Sequence, residues 1–281
     1  MLRPLSRSTS IDSSENISLF ARIESPRNPR GCIVISHGFG EHNGRYEKLA
    51  QKFAELGLTV VRYDMRGHGR SRGKRGHASS YDVYLNDLGH AIDLAREHNA
   101  NLPTFLFGHS MGGGLVLNYA LRRGGNFAGV IASSPWIRLA FDPPKWKTWL
   151  AHRIARVLPT FSMPTNLDIT KLSHDPEVVK AVEADNLINS MISASAYLSI
   201  VAAGEYTAAN AATFQFPLFL MHGTADAITS HQASETFFAA ASSPDKTLKS
   251  WPGLYHETLN EIDSAPVYAA VIDWLAQRIP K

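Results

Sequence analysis

A single cysteine stands in 281 residues, and it lies inside the apolar run Cys32-Ile33-Val34-Ile35. No internal disulfide can form, and a buried, inert thiol is expected. No one sign of charge dominates: 28 Lys and Arg oppose 25 Asp and Glu, for a net charge of +3. That balance gives no basis for a nucleic-acid partner. No apolar stretch approaches the roughly 20 residues that a membrane-spanning helix requires. The first 16 residues are rich in Ser and Arg and lack the apolar segment of a secretory leader. No metal-ligating cluster appears, and Gly67-His68-Gly69 lacks the spacing and the strand-to-helix setting of a dinucleotide loop. Neither a metal nor a cofactor is therefore expected, and a cytoplasmic protein is the default. A chain of this length can bury an adequate core without staples.

What is present alternates. Apolar strand patterns at Gly31–Ser36, Leu58–Tyr63, Thr104–Phe107, Gly129–Ser133, Pro217–Met221 and Thr247–Trp251 are separated by helical periods. Short runs that are apolar throughout belong to strands covered on both faces, so a mostly parallel sheet with helices on both sides is predicted. Between about Ile137 and Phe214 the period is helical with no clear strand. The expected organisation is a polar, partly disordered arm over 1–16, a core over 17–136 and 215–281, and a helical lid inserted at 137–214. Such an insertion sits over the C-terminal strand ends, where folds of this class place their sites.

The chain is organised around Gly108-His109-Ser110-Met111-Gly112-Gly113-Gly114, which follows an apolar strand and opens a helical pattern. Gly-x-Ser-x-Gly at a strand-to-helix turn is the nucleophile elbow, so Ser110 is the candidate nucleophile. A serine needs a base, and the base needs a carboxylate to orient it. In this architecture the acid follows a late strand and the histidine lies in the loop after the last one. Asp226 and His256 occupy those places. Four other histidines compete less well. His222 is expected to support the Asp226 loop, His231 opens a helix, and His90 and His98 belong to a surface helix. Asp64 is expected to pair with Arg66 in a turn. The backbone N–H groups of Phe39 and Met111 are the candidate oxyanion donors.

These motifs together resemble the monoacylglycerol lipase and lysophospholipase branch of the α/β-hydrolases. The resemblance is carried by His37-Gly38-Phe39-Gly40-Glu41-His42 with Gly44-Arg45-Tyr46, and by Asp64-Met65-Arg66-Gly67-His68-Gly69-Arg70-Ser71. The elbow, the Asp226 loop, and Asp245-Lys246-Thr247-Leu248-Lys249 leading to His256-Glu257 complete it. It spans Ser18 to the C-terminus and is weakest in the lid. It implies an α/β-hydrolase fold, a serine esterase acting on monoacyl esters through an acyl-enzyme, and a small lipid ester as substrate. It also implies that Glu41, Arg45 and His109 shape a polar end that holds the head group. Relatives commonly carry Tyr-x-x-Asp-Pro in the lid. Here Val182-Glu183-Ala184-Asp185-Asn186 matches it, with valine at the tyrosine position, which leaves strict monoglyceride selectivity open.

Two rival readings remain. A serine aminopeptidase of the same fold needs an acidic patch in the lid, whereas Pro143–Pro159 carries Lys145, Lys147, Arg153 and Arg156 and no acid, and its Trp146, Trp149, Leu150, Ile154, Val157 and Leu158 recur at helical spacing and are expected to form one apolar face. That stretch suits peripheral membrane contact, or simply a cover for the pocket. A non-catalytic ligand-sensing homologue that keeps the triad is the other rival.

Overall fold

The computed structural model describes residues 5–97 and 99–280, and the backbone alone at Lys145 and Lys147. His98, the two lysines' side-chain charges, and Met1–Pro4 of the expected arm lie outside the described residues.

Eight strands form one sheet: β1 (Leu5–Ser13), β2 (Ile17–Ser25), β3 (Gly31–Ser36), β4 (Leu58–Tyr63), β5 (Thr104–His109), β6 (Gly129–Ser133), β9 (Leu218–Gly223) and β10 (Lys246–Trp251). Their order is β1-β2-β4-β3-β5-β6-β9-β10. The pairs from β4 to β10 are parallel, while β1 with β2 and β2 with β4 are antiparallel. The residues of β3, β4, β5, β6 and β9 are buried throughout, as apolar runs covered on both faces require.

One face carries α1 (Glu47–Glu55) and α8 (Ala265–Ala276), whose Phe53, Val271 and Trp274 pack with Ile33, Phe107 and Phe219 of the sheet. The opposite face carries α2 (Tyr81–Arg96), α3 (Met111–Arg123) and α7 (His231–Ala240). There Leu88, Leu115 and Phe237 pack with Val34, Leu106 and Leu220.

The segment expected as a polar, partly disordered arm instead contains β1, which pairs with all of β2 from Leu5↔Ser25 to Ser13↔Ile17. Edge pairing satisfies its backbone, so polar side chains suffice; of its residues only Ile11 is buried. Between β6 and β9 lie α4 (Lys145–Val157), α5 (Pro176–Ala184) and α6 (Ala194–Ala209). Two strands that the helical reading passed over, β7 (Ser162–Pro164) and β8 (Met191–Ser193), pair antiparallel in this region. Three-residue strands are too short to show a period. No helix among the described residues is long and apolar enough to cross a membrane.

Candidate active site

Strand β5 delivers Ser110 to its C-terminal edge, and α3 starts at the next residue. Ser110 takes φ 54° and ψ −118°, a conformation that costs a non-glycine residue about 1–3 kcal/mol. The turn closes only because two glycines lack side chains. A Cβ on Gly108 would lie 2.1 Å from the Gly112 carbonyl oxygen, and one on Gly112 would lie 2.2 Å from that of Ser36. Met111 begins the helix, where an N–H has no carbonyl partner within its own helix and carries the positive end of the dipole.

Asp226, after β9, and His256, after β10, meet: His256 Nδ1 donates to Asp226 Oδ2 at 2.7 Å. That Nδ1–H leaves Nε2 as the ring's acceptor. His222 Nε2 donates to the same oxygen at 3.0 Å and Thr229 Oγ1 at 2.9 Å, while Oδ1 takes the N–H groups of Ile228 and Thr229 at 2.7 and 3.0 Å. His222 thus supports Asp226 directly, with its own Nδ1 against Ser234 Oγ at 2.8 Å. Burial alone would raise the Asp226 pKa, but His256 and His222 outweigh it and hold the carboxyl well below the usual range. Burial likewise works against protonated His256, and Asp226 overrides it, so the imidazole pKa is raised above 6.5. The His256 ring also packs on the ring of His109, next to Ser110, at 4.7 Å between centroids.

The loop after β3 lies against the serine. A Cβ on Gly38 would sit 3.1 Å from Ser110 Cβ. His37 fixes this loop, with Nδ1 donating to the Gly38 carbonyl at 2.7 Å and Nε2 accepting the Met65 N–H at 2.9 Å. Burial keeps that imidazole neutral by lowering its pKa. Phe39 packs edge-on against His68 at 5.0 Å.

Glu41 and Arg45, expected to shape the end that holds a head group, are tied into the protein by hydrogen bonds and ion pairs. Glu41 accepts from the Gly38 N–H at 2.5 Å and Tyr46 Oη at 2.6 Å, and Arg45 pairs with Glu41 at 2.8 Å and with Glu257 at 2.6 Å. Burial opposes the charged form of Glu41, but Arg45, then His109 and His37, hold its pKa at about 2. His109 sits 3.3 Å from Ser133 Oγ through Nδ1, and burial followed by the neighbouring His256 pushes its pKa down to about 4. His109, Arg45, Ser133, Glu257 and Asn260 line a cavity of about 20 Å³. That is room for one water.

The expected Asp64–Arg66 pair is absent among the described residues. Asp64 accepts the N–H groups of Asn43 and Arg70 at 2.7 and 2.8 Å, whereas Arg66 pairs with buried Asp87 at 2.6 Å and with Glu15 at 2.6 Å. Backbone donors in the turn out-compete a side chain two residues away. Val182 is buried with Leu172 and Ile228, and Asp185 bonds His42 Nε2 at 2.7 Å. The inserted segment also meets the loop after β3 through the Asn189 N–H and the Gly40 carbonyl at 2.6 Å. Sequence reasoning gave no role to Thr229 or Glu257. Thr229 lies three residues after Asp226 and had a local signal, but Glu257 had none, since its partner Arg45 lies 212 residues away.

On α4 the two tryptophans face outward, Trp146 at 62 % and Trp149 at 60 % exposure. The buried side of the helix is Ala151, with Leu150 and Ile154 half-buried, and α4 packs on α6. Arg153 lies over the Trp149 ring at 5.2 Å. The apolar residues of this stretch thus divide between two faces.

The chain is similar to known proteins. A family model described as serine aminopeptidase, S33, matches residues 27–263. The chain is 33% identical over 252 residues to the monoacylglycerol lipase of Mycolicibacterium smegmatis, covering 89% of this chain and 90% of that protein. It is 34% identical over 269 residues to an uncharacterized abhydrolase domain-containing protein of Dictyostelium discoideum, covering 95% of this chain but spanning 28% of that longer protein. The crystal structure of Paleococcus ferrophilus monoacylglycerol lipase superposes with a TM-score of 0.86 at 33% identity, covering 92% of this chain and 99% of that one.

Proposed function

The chain belongs to the monoacylglycerol lipase and lysophospholipase branch of the α/β-hydrolases and is a carboxylic ester hydrolase, and we propose that it cleaves monoacyl esters with a small polar head, such as monoacylglycerols or lysophospholipids, through Ser110, His256 and Asp226. The observation that carries the reading is the 2.7 Å Asp226–His256 hydrogen bond, its imidazole packed at 4.7 Å on the ring of His109, the residue before a serine held at positive φ.

In this mechanism Ser110 Oγ attacks the ester carbonyl while His256 Nε2 takes its proton. Asp226 keeps Nδ1 protonated, so the acceptor nitrogen faces the serine, and it stabilises the imidazolium that forms. The tetrahedral oxyanion accepts from the Phe39 and Met111 N–H groups, the latter at the positive end of α3. His256 then protonates the departing alcohol, leaving an acyl-serine. Water, deprotonated by the same imidazole, releases the acid and restores Ser110. The glycines of the elbow and the His37 contacts hold these donors in place before substrate arrives, which is where such catalysis draws its advantage.

Residues 137–214 act as a lid in this reading. Eight large apolar side chains are exposed between Phe141 and Leu167, the two α4 tryptophans among them. Exposed apolar side chains in that number suit contact with a lipid surface from which a monoacyl substrate is drawn.

The test is a panel of monoacylglycerols, lysophospholipids and p-nitrophenyl esters of graded chain length. Hydrolysis of monoacyl esters, with a burst of p-nitrophenol equal to the enzyme present, is expected. A burst without turnover of any monoacyl lipid would remove the substrate assignment and leave the esterase.

A further inference from the structure

Two carboxylates and one guanidinium share a buried place behind the nucleophile. Arg45 grips Glu257 with two parallel contacts, Nη1 to Oε1 at 2.6 Å and Nη2 to Oε2 at 2.8 Å, and reaches Glu41 Oε2 from Nη1 at 2.8 Å. The other oxygen of Glu41 holds the Gly38 N–H, and Asn260 Nδ2 donates to Glu257 Oε2 at 2.8 Å. An unbroken chain of contacts therefore runs from the residue after His256 to the residue before Phe39. Burial opposes ionisation of Glu257 and Glu41, but Arg45 overrides it in both, so two negative charges face one positive charge.

A surplus buried charge is costly unless something compensates it. Three imidazoles lie close. Burial keeps His37 and His109 neutral, whereas His256 is the one whose protonated form is favoured. Asp226, bonded to His256 at 2.7 Å, is a third carboxylate in the same surroundings, so a proton on His256 reduces the negative surplus, and it arrives at the moment when Ser110 attacks.

We propose that Glu257 is a positioning residue for ester hydrolysis: through Arg45 and Glu41 its carboxylate braces the His256 loop against the Gly38–Phe39 loop and offers its charge to the imidazolium that forms on His256. This rests on the reading of His256 as the base and Phe39 as an oxyanion donor. The other charged or titratable groups around the ring and its partners are Asp226 and His222 from β9 and its loop, His109 from β5, and His37, Glu41, Arg45 and Tyr46 from the segment after β3. None of them belongs to the histidine loop itself. Glu257 does, next to His256, so its carboxylate can both move that loop and charge the surroundings of the ring.

Two variants separate the two actions. Glu257→Gln keeps the shape and leaves Arg45 paired with Glu41, so the fold should survive. Glu257→Asp keeps the charge on a shorter arm. The readouts are kcat and kcat/KM on a soluble p-nitrophenyl ester across pH, the melting temperature, and labelling of Ser110 by a fluorophosphonate. In Glu257→Gln the acidic limb of kcat/KM should move to lower pH by about half a unit to one unit, with kcat down about three- to tenfold and KM little changed. In Glu257→Asp the limb should stay and kcat alone should fall. A Gln variant with the wild-type limb and kcat, and only a lower melting temperature, would make Glu257 a structural ion pair and overturn the proposal. Should the Gln variant not fold, a shifted limb or an unchanged kcat in Glu257→Asp overturns it equally. A wild type that the fluorophosphonate does not label would remove the serine-hydrolase reading itself, and this proposal with it.

Discussion

Replacing Asp226 by Asn changes one atom and should cost about 10⁴-fold in kcat. Five donor groups converge on this carboxylate: the backbone N–H of Ile228 and of Thr229 on Oδ1, and His256, His222 and the Thr229 hydroxyl on Oδ2. An amide offers only one acceptor oxygen. If its NH₂ group takes the Oδ1 place, it faces two backbone donors that cannot turn away. It will therefore face His256, whose ring must then accept at Nδ1 and carry its proton on Nε2. That tautomer cannot take a proton from Ser110. The loss corresponds to about 5.5 kcal/mol of transition-state stabilisation. Steady-state hydrolysis of p-nitrophenyl butyrate measures it, with circular dichroism to verify the fold. A loss of less than tenfold in a folded variant would mean that Asp226 does not orient the base, and the reasoning from its donors would be wrong.

Three further outcomes follow from the same geometry. Because Asp226 raises the His256 pKa and the base must be neutral to act, kcat/KM should climb with pH through one ionisation above 6.5 and then level off; a limb centred below 6.5 contradicts this. Gly112→Ala would place a methyl 2.2 Å from the Ser36 carbonyl and 2.4 Å from that of His37, backbone atoms that cannot rotate away. Its melting temperature should drop by several degrees, as overpacking of about 1–3 kcal/mol implies, and a wild-type value would show that the elbow can relax. Trp146→Ala combined with Trp149→Ala should leave the melting temperature and soluble-ester activity nearly unchanged, since both side chains are mostly exposed, but should reduce hydrolysis of vesicle-borne substrate. Equal losses on soluble and vesicle-borne esters would instead place the tryptophans in the substrate path.

The legible parts of the sequence were those where one physical demand dictates composition. Strands covered on both faces must be apolar throughout, so Gly31–Ser36, Leu58–Tyr63 and Gly129–Ser133 could be read to the residue. The elbow needs glycine where Gly108 and Gly112 would otherwise strike backbone, and chain order then pointed to Asp226 and His256. Where satisfaction comes from the tertiary structure, the sequence is silent. Strand β1 is polar because an edge asks little of its side chains. Glu41 and Arg45 were visible as residues, but their partner Glu257 could be found only after folding brought the loops at the C-terminal ends of β3 and β10 together. Asp64 and Arg66 look like a pair at i,i+2 and are not, because each has better partners in space.

The central claim is that Ser110 is the nucleophile. Incubating the protein with a fluorophosphonate, digesting it and sequencing the adduct by mass spectrometry tests this directly. The account predicts one adduct per chain, on the peptide that contains Ser110, formed faster as pH rises above 6.5 and abolished in Ser110→Ala. An adduct on another residue, or undiminished ester hydrolysis by Ser110→Ala, would contradict it.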